Sequence, residues 1–148
     1  MKSLYNPASN QDIIDRINQL SPHSLSHWGK MTVSQMMEHC QAPIKVAFGE
    51  LTLKQNLIGL LFGRIAKKKL VEDKPFDPNI PTAKEFIITH EPDFDAAKTA
   101  LIDRVSRFQQ GPSVIKNLKH PFFGPMTPEE WDISQWKHLD HHLRQFGV

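Results

Sequence analysis

TPEEWDISQWKHLDHHLRQFG, residues 127–147, decides how the chain folds. Thr127 has Glu130 three positions on, a capping-box pattern, and Pro128 takes the first helical position, where a missing amide costs nothing. Trp136, Leu139, Leu143 and Phe146 then recur at helical spacing, and Gly147 supplies the stop. A helix with so marked a start, and an apolar stripe along it, needs other helices to pack against.

The rest of the chain provides them. SNQDIIDRINQL predicts a helix over 10–20, with Ser9 as N-cap and Ile13, Ile14, Ile17 and Leu20 on one face. Thr32 and Gln35 form a second capping box. The stripe Val33, Met36, Met37, Cys40, Ile44 and Ala47 follows, with Pro43 inside the helix. LTLKQNLIGLLFGRIAKKKLV, 51–71, reads as a further helical stretch, weakened by Gly59 and Gly63. EDKPFDPNIP, with Pro75, Pro78 and Pro81, is expected to be a long extended crossover. PDFDAAKTALIDRVSRFQQG is a helix capped near Asp93, stopped by Gly111 and buried through Ala97, Leu101, Val105 and Phe108. Strand-like alternation is confined to EFIITH, 85–90. The expectation is a single all-α domain over 1–148: an antiparallel four-helix bundle with a long Pro-rich crossover.

Bulk composition narrows the function. The 148 residues are 39% hydrophobic and 23% charged, an ordinary globular balance. Eighteen basic and 16 acidic side chains give a net charge of +2, too little to favour nucleic acid as partner. The one cysteine, Cys40, excludes an intrachain disulfide and suits a reducing compartment. MKSLYNPASNQD carries no apolar signal core, so a cytoplasmic protein is expected. LIGLLFG, 57–63, is far short of the roughly 20 residues of a membrane span. GRIAKKKLV, 63–71, mixes basic and apolar residues; a solvated helix end is its usual meaning and contact with a lipid surface the alternative.

The chemistry lies in the histidines of the last helix. Each residue advances about 100° around an α-helix. His138 and His142 stack one turn apart beside Trp131 and Gln135, at the edge of the core stripe. His141 falls roughly opposite the core with Lys137 and Arg144, and Asp140 also falls on the outer side. Imidazoles at i and i+4 can aim at one cation about 2.0–2.1 Å from each. His39, flanking the apolar stripe of its own helix near Met36, is the best third ligand. The residues alone leave two readings open. One is a three-histidine metal centre with free coordination positions; the other is a core histidine satisfied by a carbonyl, beside a partly solvated polar strip.

TVSQMMEHC (32–40) and HLDHHLRQ (138–145) resemble the two metal motifs of the DinB/YfiT-like superfamily of four-helix bundles. HPFFGPMTPEEW (120–131) with KHLDHHLRQFG (137–147) is similar to a branch of it known as a domain of unknown function. The resemblance implies His39, His138 and His142 as metal ligands. Members often read His-Arg-Gly-Gln at the second histidine of the pair; His142-Leu143-Arg144-Gln145 keeps the ligand and moves the arginine. It also implies metal-dependent transfer or isomerisation with low-molecular-weight thiol cofactors.

On ligand type zinc is the first choice, with nickel, iron or manganese as alternatives. Trp131, Gln135, Met36 and His120 are the pocket candidates. Cys40 is expected in the core, Trp28 as a staple at the bundle's end, and His23, His27, His90 and Glu38 at the surface. The expected function is a metal-dependent thiol S-transferase or hydrolase acting on a small-molecule substrate, without nucleic acid or membrane partners. The alternatives are a non-catalytic metal-binding or stress-related bundle, and a module that forms a homodimer and whose histidines are incidental.

Overall fold

The computed structural model describes residues 2–54, 63, 67–68, 70, 72, 74–78 and 82–148. Among them are four α-helices: α1 (Pro7–Gln19), α2 (Val33–Ala47), α3 (Phe94–Arg107) and α4 (Pro128–Gln145). Among the described residues the only sheet is a two-residue pair, β1 (Lys119–His120) antiparallel to β2 (Gly124–Pro125). The fold is all-α. Both α1 and α2 pack against α3 and α4. The helix expected over 51–71 and the crossover residues 79–81 lie largely outside the described residues, as does the basic cluster at 63–71. Residues 74–78 carry no regular element.

Local chemistry explains the helix ends. Thr32 accepts from the Gln35 amide and Thr127 from the Glu130 amide, and both capping boxes close. Asp93 caps α3 through the Ala96 amide, and Gly111 ends the 3-10 turn that follows, at φ +81°. The first helix starts earlier than Ser9. Asn6 is its N-cap, accepting from the Ser9 amide, and Pro7 takes the first position. The segment 85–90 forms no strand: a single 3-10 turn, Lys84–Phe86, is followed by irregular chain. That turn packs against α2 and brings the Phe86 carbonyl to His39. Pro43 stays inside α2 and leaves the His39 carbonyl without its usual donor four residues on.

The core is assembled from Ile13, Ile17, Met36, Met37, Ile44, Leu101, Val105, Phe108, Trp131, Leu139 and Leu143, all essentially inaccessible. Helix α4 departs from a one-sided amphipathic helix. Besides its apolar stripe it buries Asp132, Ser134, Gln135, Lys137, Asp140, His142 and Gln145. Two residues assigned to its outer side therefore change place. Asp140 is buried because Arg16 of α1 meets it at 2.9 Å, and Lys137 because its ammonium donates to the Glu72 carbonyl at 2.8 Å. Trp136, expected in the core, is only half-buried beneath the Lys2 ammonium, 5.3 Å from its ring.

A buried amide fastens the amino-terminal segment. Asn10 Nδ2 donates to the carbonyls of Leu4 (2.9 Å) and Val105 (2.7 Å), while its Oδ1 accepts from Gln109 at 3.1 Å. Removing such a group leaves buried carbonyls unpaired at about 1–3 kcal/mol. Asn10→Ala is expected to lower the urea midpoint by that amount of free energy with an unchanged slope.

Candidate metal centre

Helix α2 supplies His39, 3% exposed, and α4 supplies His138 and His142, the latter 8% exposed. Their ring centroids are 4.7–5.0 Å apart in all three pairings, each pair close to edge-on. One nitrogen from each lies within 4.8 Å of the other two. The Nε2 atoms of His39 and His138 are 3.1 Å apart. Two nitrogens bound to one tetrahedral ion at about 2.0–2.1 Å would stand about 3.3 Å apart. The His39–His138 separation is close to that length.

Hydrogen-bond logic fixes which nitrogens face inward. His39 Nδ1 lies 2.9 Å from the Phe86 carbonyl. A carbonyl only accepts, so Nδ1 carries the proton and Nε2 keeps its lone pair. Gln145 Nε2 donates to the Trp28 carbonyl at 2.6 Å, which orients the amide and turns Oε1 toward His142 Nδ1, 2.8 Å away. His142 Nδ1 must then donate, and its Nε2 is also a bare lone pair. A ligating histidine commonly gives its other N–H to a carbonyl or carboxylate in this way.

Burial disfavours the charged form of all three imidazoles. Burial lowers the pKa of His39 despite the Phe86 hydrogen bond, and pushes that of His142 down to about 3. His138 falls well below the ordinary value, through burial first and then the neighbouring imidazoles. His138 Nδ1 is buried with no hydrogen-bond partner, as are Gln135 Oε1 and Trp131 Nε1 on the same strip of α4. The donor set, three neutral nitrogens with two outer N–H groups held by carbonyls, fits a divalent ion that accepts imidazole.

The other candidates are dispersed. Met36 is in the core, its Sδ 3.7 Å from Cys40 Sγ. Trp131 is fully buried, and the His120 ring lies 5.0 Å from it, at the hairpin rather than among the three histidines. Cys40 is inaccessible, and burial raises its thiol pKa. Glu38 pairs with His90 at 3.1 Å on the surface. His141 is not the solvated residue the helical wheel predicts. It is half-buried between Trp28 and Phe76, with ring centroids 5.7 and 6.0 Å away, and burial lowers its pKa. The sequence reading missed Phe86 and the Trp28–Gln145 bond. A backbone carbonyl leaves no sequence signal, whereas the H-x-x-Q spacing of His142 and Gln145 does.

A family model described as a protein of unknown function (DUF1569) matches residues 2–147. The chain belongs to the DUF1569 family. No curated protein and no solved structure matches it. For a DUF1569 chain of this kind, the site's geometry is the ground for any functional reading.

Two tests follow from this geometry. A Cβ at Gly29, whose φ is +79°, would stand 2.5 Å from Gln145 Nε2. Gly29→Ala is expected to displace the Gln145 amide, shift the His142 Nδ1–H resonance in NMR spectra and cost about 1–2 kcal/mol of stability. His120 Nδ1 accepts from the amides of Phe122 (3.0 Å) and Phe123 (3.1 Å), and burial pushes its pKa down to about 4. The unfolded chain therefore takes up a proton near pH 6.5 that the folded one refuses. The stability present above pH 6.5 is lost as pH falls toward 4, at up to about 1.4 kcal/mol per pH unit. His120→Asn, which keeps an acceptor without the titration, should flatten that part of the acid limb in thermal melts.

Proposed function

We propose that the chain is a small metal-dependent enzyme, a thiol S-transferase or hydrolase acting on a small molecule at His39, His138 and His142. Zinc is the preferred ion. The observation that carries this reading is the meeting of three neutral imidazoles from two helices, with the inner nitrogens of His39 and His138 3.1 Å apart. When bound, the ion supplies Lewis acidity, because three neutral ligands leave its +2 charge uncancelled. His39 and His142 present lone pairs whose direction is set by Phe86 and Gln145. Burial of both rings keeps competing protons off those lone pairs at neutral pH. The resemblance of residues 32–40 and 138–145 to the DinB/YfiT-like motifs supports the same ligand set and suggests a low-molecular-weight thiol as co-substrate.

A second reading, a bundle that holds metal without turnover, is favoured by one observation. Among the described residues the cluster contains histidines only, with no carboxylate to serve as a base.

Protein purified without an affinity tag and loaded with zinc should hold about one ion per chain by elemental analysis, and His142→Ala should lose it. Absence of metal from the wild-type protein sinks both readings. Metal-dependent turnover of electrophiles with common thiols, or of esters and amides, separates the enzyme from the metal-holding bundle.

A further inference from the structure

Two of the buried polar atoms without partners, Gln135 Oε1 and His138 Nδ1, sit three residues apart on α4. Residues at that spacing are neighbours on a helix face. Leaving such atoms unpaired in an interior costs about 1–3 kcal/mol each, so the pair calls for a physical reason. Tautomer chemistry supplies one. His39 Nε2 is a lone pair, because its Nδ1–H is given to Phe86. Across the 3.1 Å contact His138 Nε2 must therefore be the donor, and it carries the ring's one proton. His138 Nδ1 is then a buried acceptor without a donor, and Gln135 Oε1, also only an acceptor, cannot supply one.

Ligation reverses this. To bind a cation through Nε2, the neutral His138 ring must carry its proton on Nδ1 instead. His138 Nδ1 then becomes a donor, and the amide oxygen of Gln135, one turn away on the helix, is an acceptor without a partner. Trp131 Nε1, the next unpaired atom along the strip, is a donor only and cannot fill that role.

We infer that Gln135 is the positioning residue of His138: its amide oxygen takes the His138 Nδ1–H when metal binds. The inference rests on the metal-binding reading above. It makes the three ligands alike, each outer N–H held by a neutral carbonyl: Phe86 for His39, Gln135 for His138 and Gln145 for His142. Gln135-x-x-His138 and His142-x-x-Gln145 are then mirror-image uses of one spacing, the glutamine one turn before its histidine in the first and one turn after in the second.

The test combines zinc affinity by chelator competition with nitrogen NMR of histidine-labelled protein, rings assigned by single substitutions. In wild-type protein His138 should be the Nε2–H tautomer without zinc and the Nδ1–H tautomer with it, while His39 and His142 remain Nδ1–H throughout. Gln135→Leu should weaken zinc binding by about 10–100-fold, the usual effect of losing such a partner. Its melting temperature without metal should not fall, since the glutamine oxygen has no bond there to lose. Gln135→Glu, which keeps an acceptor, should restore the affinity. If wild-type protein binds no zinc, the metal reading itself fails. If it binds zinc and His138 keeps its Nε2–H form, or Gln135→Leu binds as tightly, the metal reading stands and the role of Gln135 is overturned. The wild-type tautomer measurement decides the matter even if the leucine variant does not fold.

Discussion

The structure depends on burying a polar helix. The 18 residues of α4 carry two aspartates, a lysine and two glutamines into the interior, and water can no longer satisfy them. Several draw in a different part of the chain. Asp132 accepts from the Leu4 amide at 2.6 Å, Lys137 reaches the Glu72 carbonyl, Asp140 takes Arg16, and Gln145 binds the Trp28 carbonyl. A rotation of α4 by one residue, about 100°, would break all of these together. The direction of His138 and His142 is therefore over-determined by bonds of their helix, of which only that of Gln145 belongs to a residue touching either ring. This is how a small bundle holds imidazoles still without a rigid sheet beneath them.

That constraint also divides what the sequence shows from what it hides. Both capping boxes, the stop at Gly111 and the apolar stripes of α2 and α3 are local, and residue spacing reveals them. The separation of His138 and His142 from His141 is local too, because all three share one helix. Placing His39 opposite them requires only that α2 bury its stripe. The helical wheel fails at Lys137, Asp140 and His141 because it assumes that polar means outward. On a helix surrounded by structure, a polar side chain can turn inward wherever a partner from a distant segment meets it. The partners here, Arg16, Glu72 and Phe76, are 65 to 124 positions away in the chain, beyond the reach of periodicity. The same limit hid Asn6 and Phe86: a Ser at the next turn outcompeted Asn6 in the pattern, and a carbonyl has no identity in a sequence.

The partners of the imidazoles have a chemical consequence. Where a ligating histidine gives its outer N–H to a carboxylate, the ring gains electron density and part of the cation's charge is offset nearby. Here the partners of His39 and His142 are a backbone carbonyl and an amide oxygen, both neutral. The nearest described carboxylate on α4, Asp140, is committed to Arg16 and Arg144. A divalent ion held by these rings would keep its charge for whatever occupied its remaining positions. Such a centre favours an anionic donor over a neutral one and acidifies a proton-bearing ligand strongly. A site meant only to retain metal gains nothing from that electrophilicity, and closed structural sites more often use thiolates, which offset the charge.

The polar groups buried on α4 carry a cost of their own. Buried groups in native proteins are paired in the great majority of cases, yet four of the five unpaired buried polar atoms among the described residues lie on α4 between Trp131 and His138. Spread over the molecule they would be unremarkable. Two of them, Gln135 Oε1 and His138 Nδ1, are the atoms that ligation at His138 Nε2 would pair, while the indole N–H groups of Trp131 and Trp136 are donors that it would leave as they are. On the reading proposed above, an amide at 135 is matched to the cation-bound state, in which the proton of His138 would sit on Nδ1.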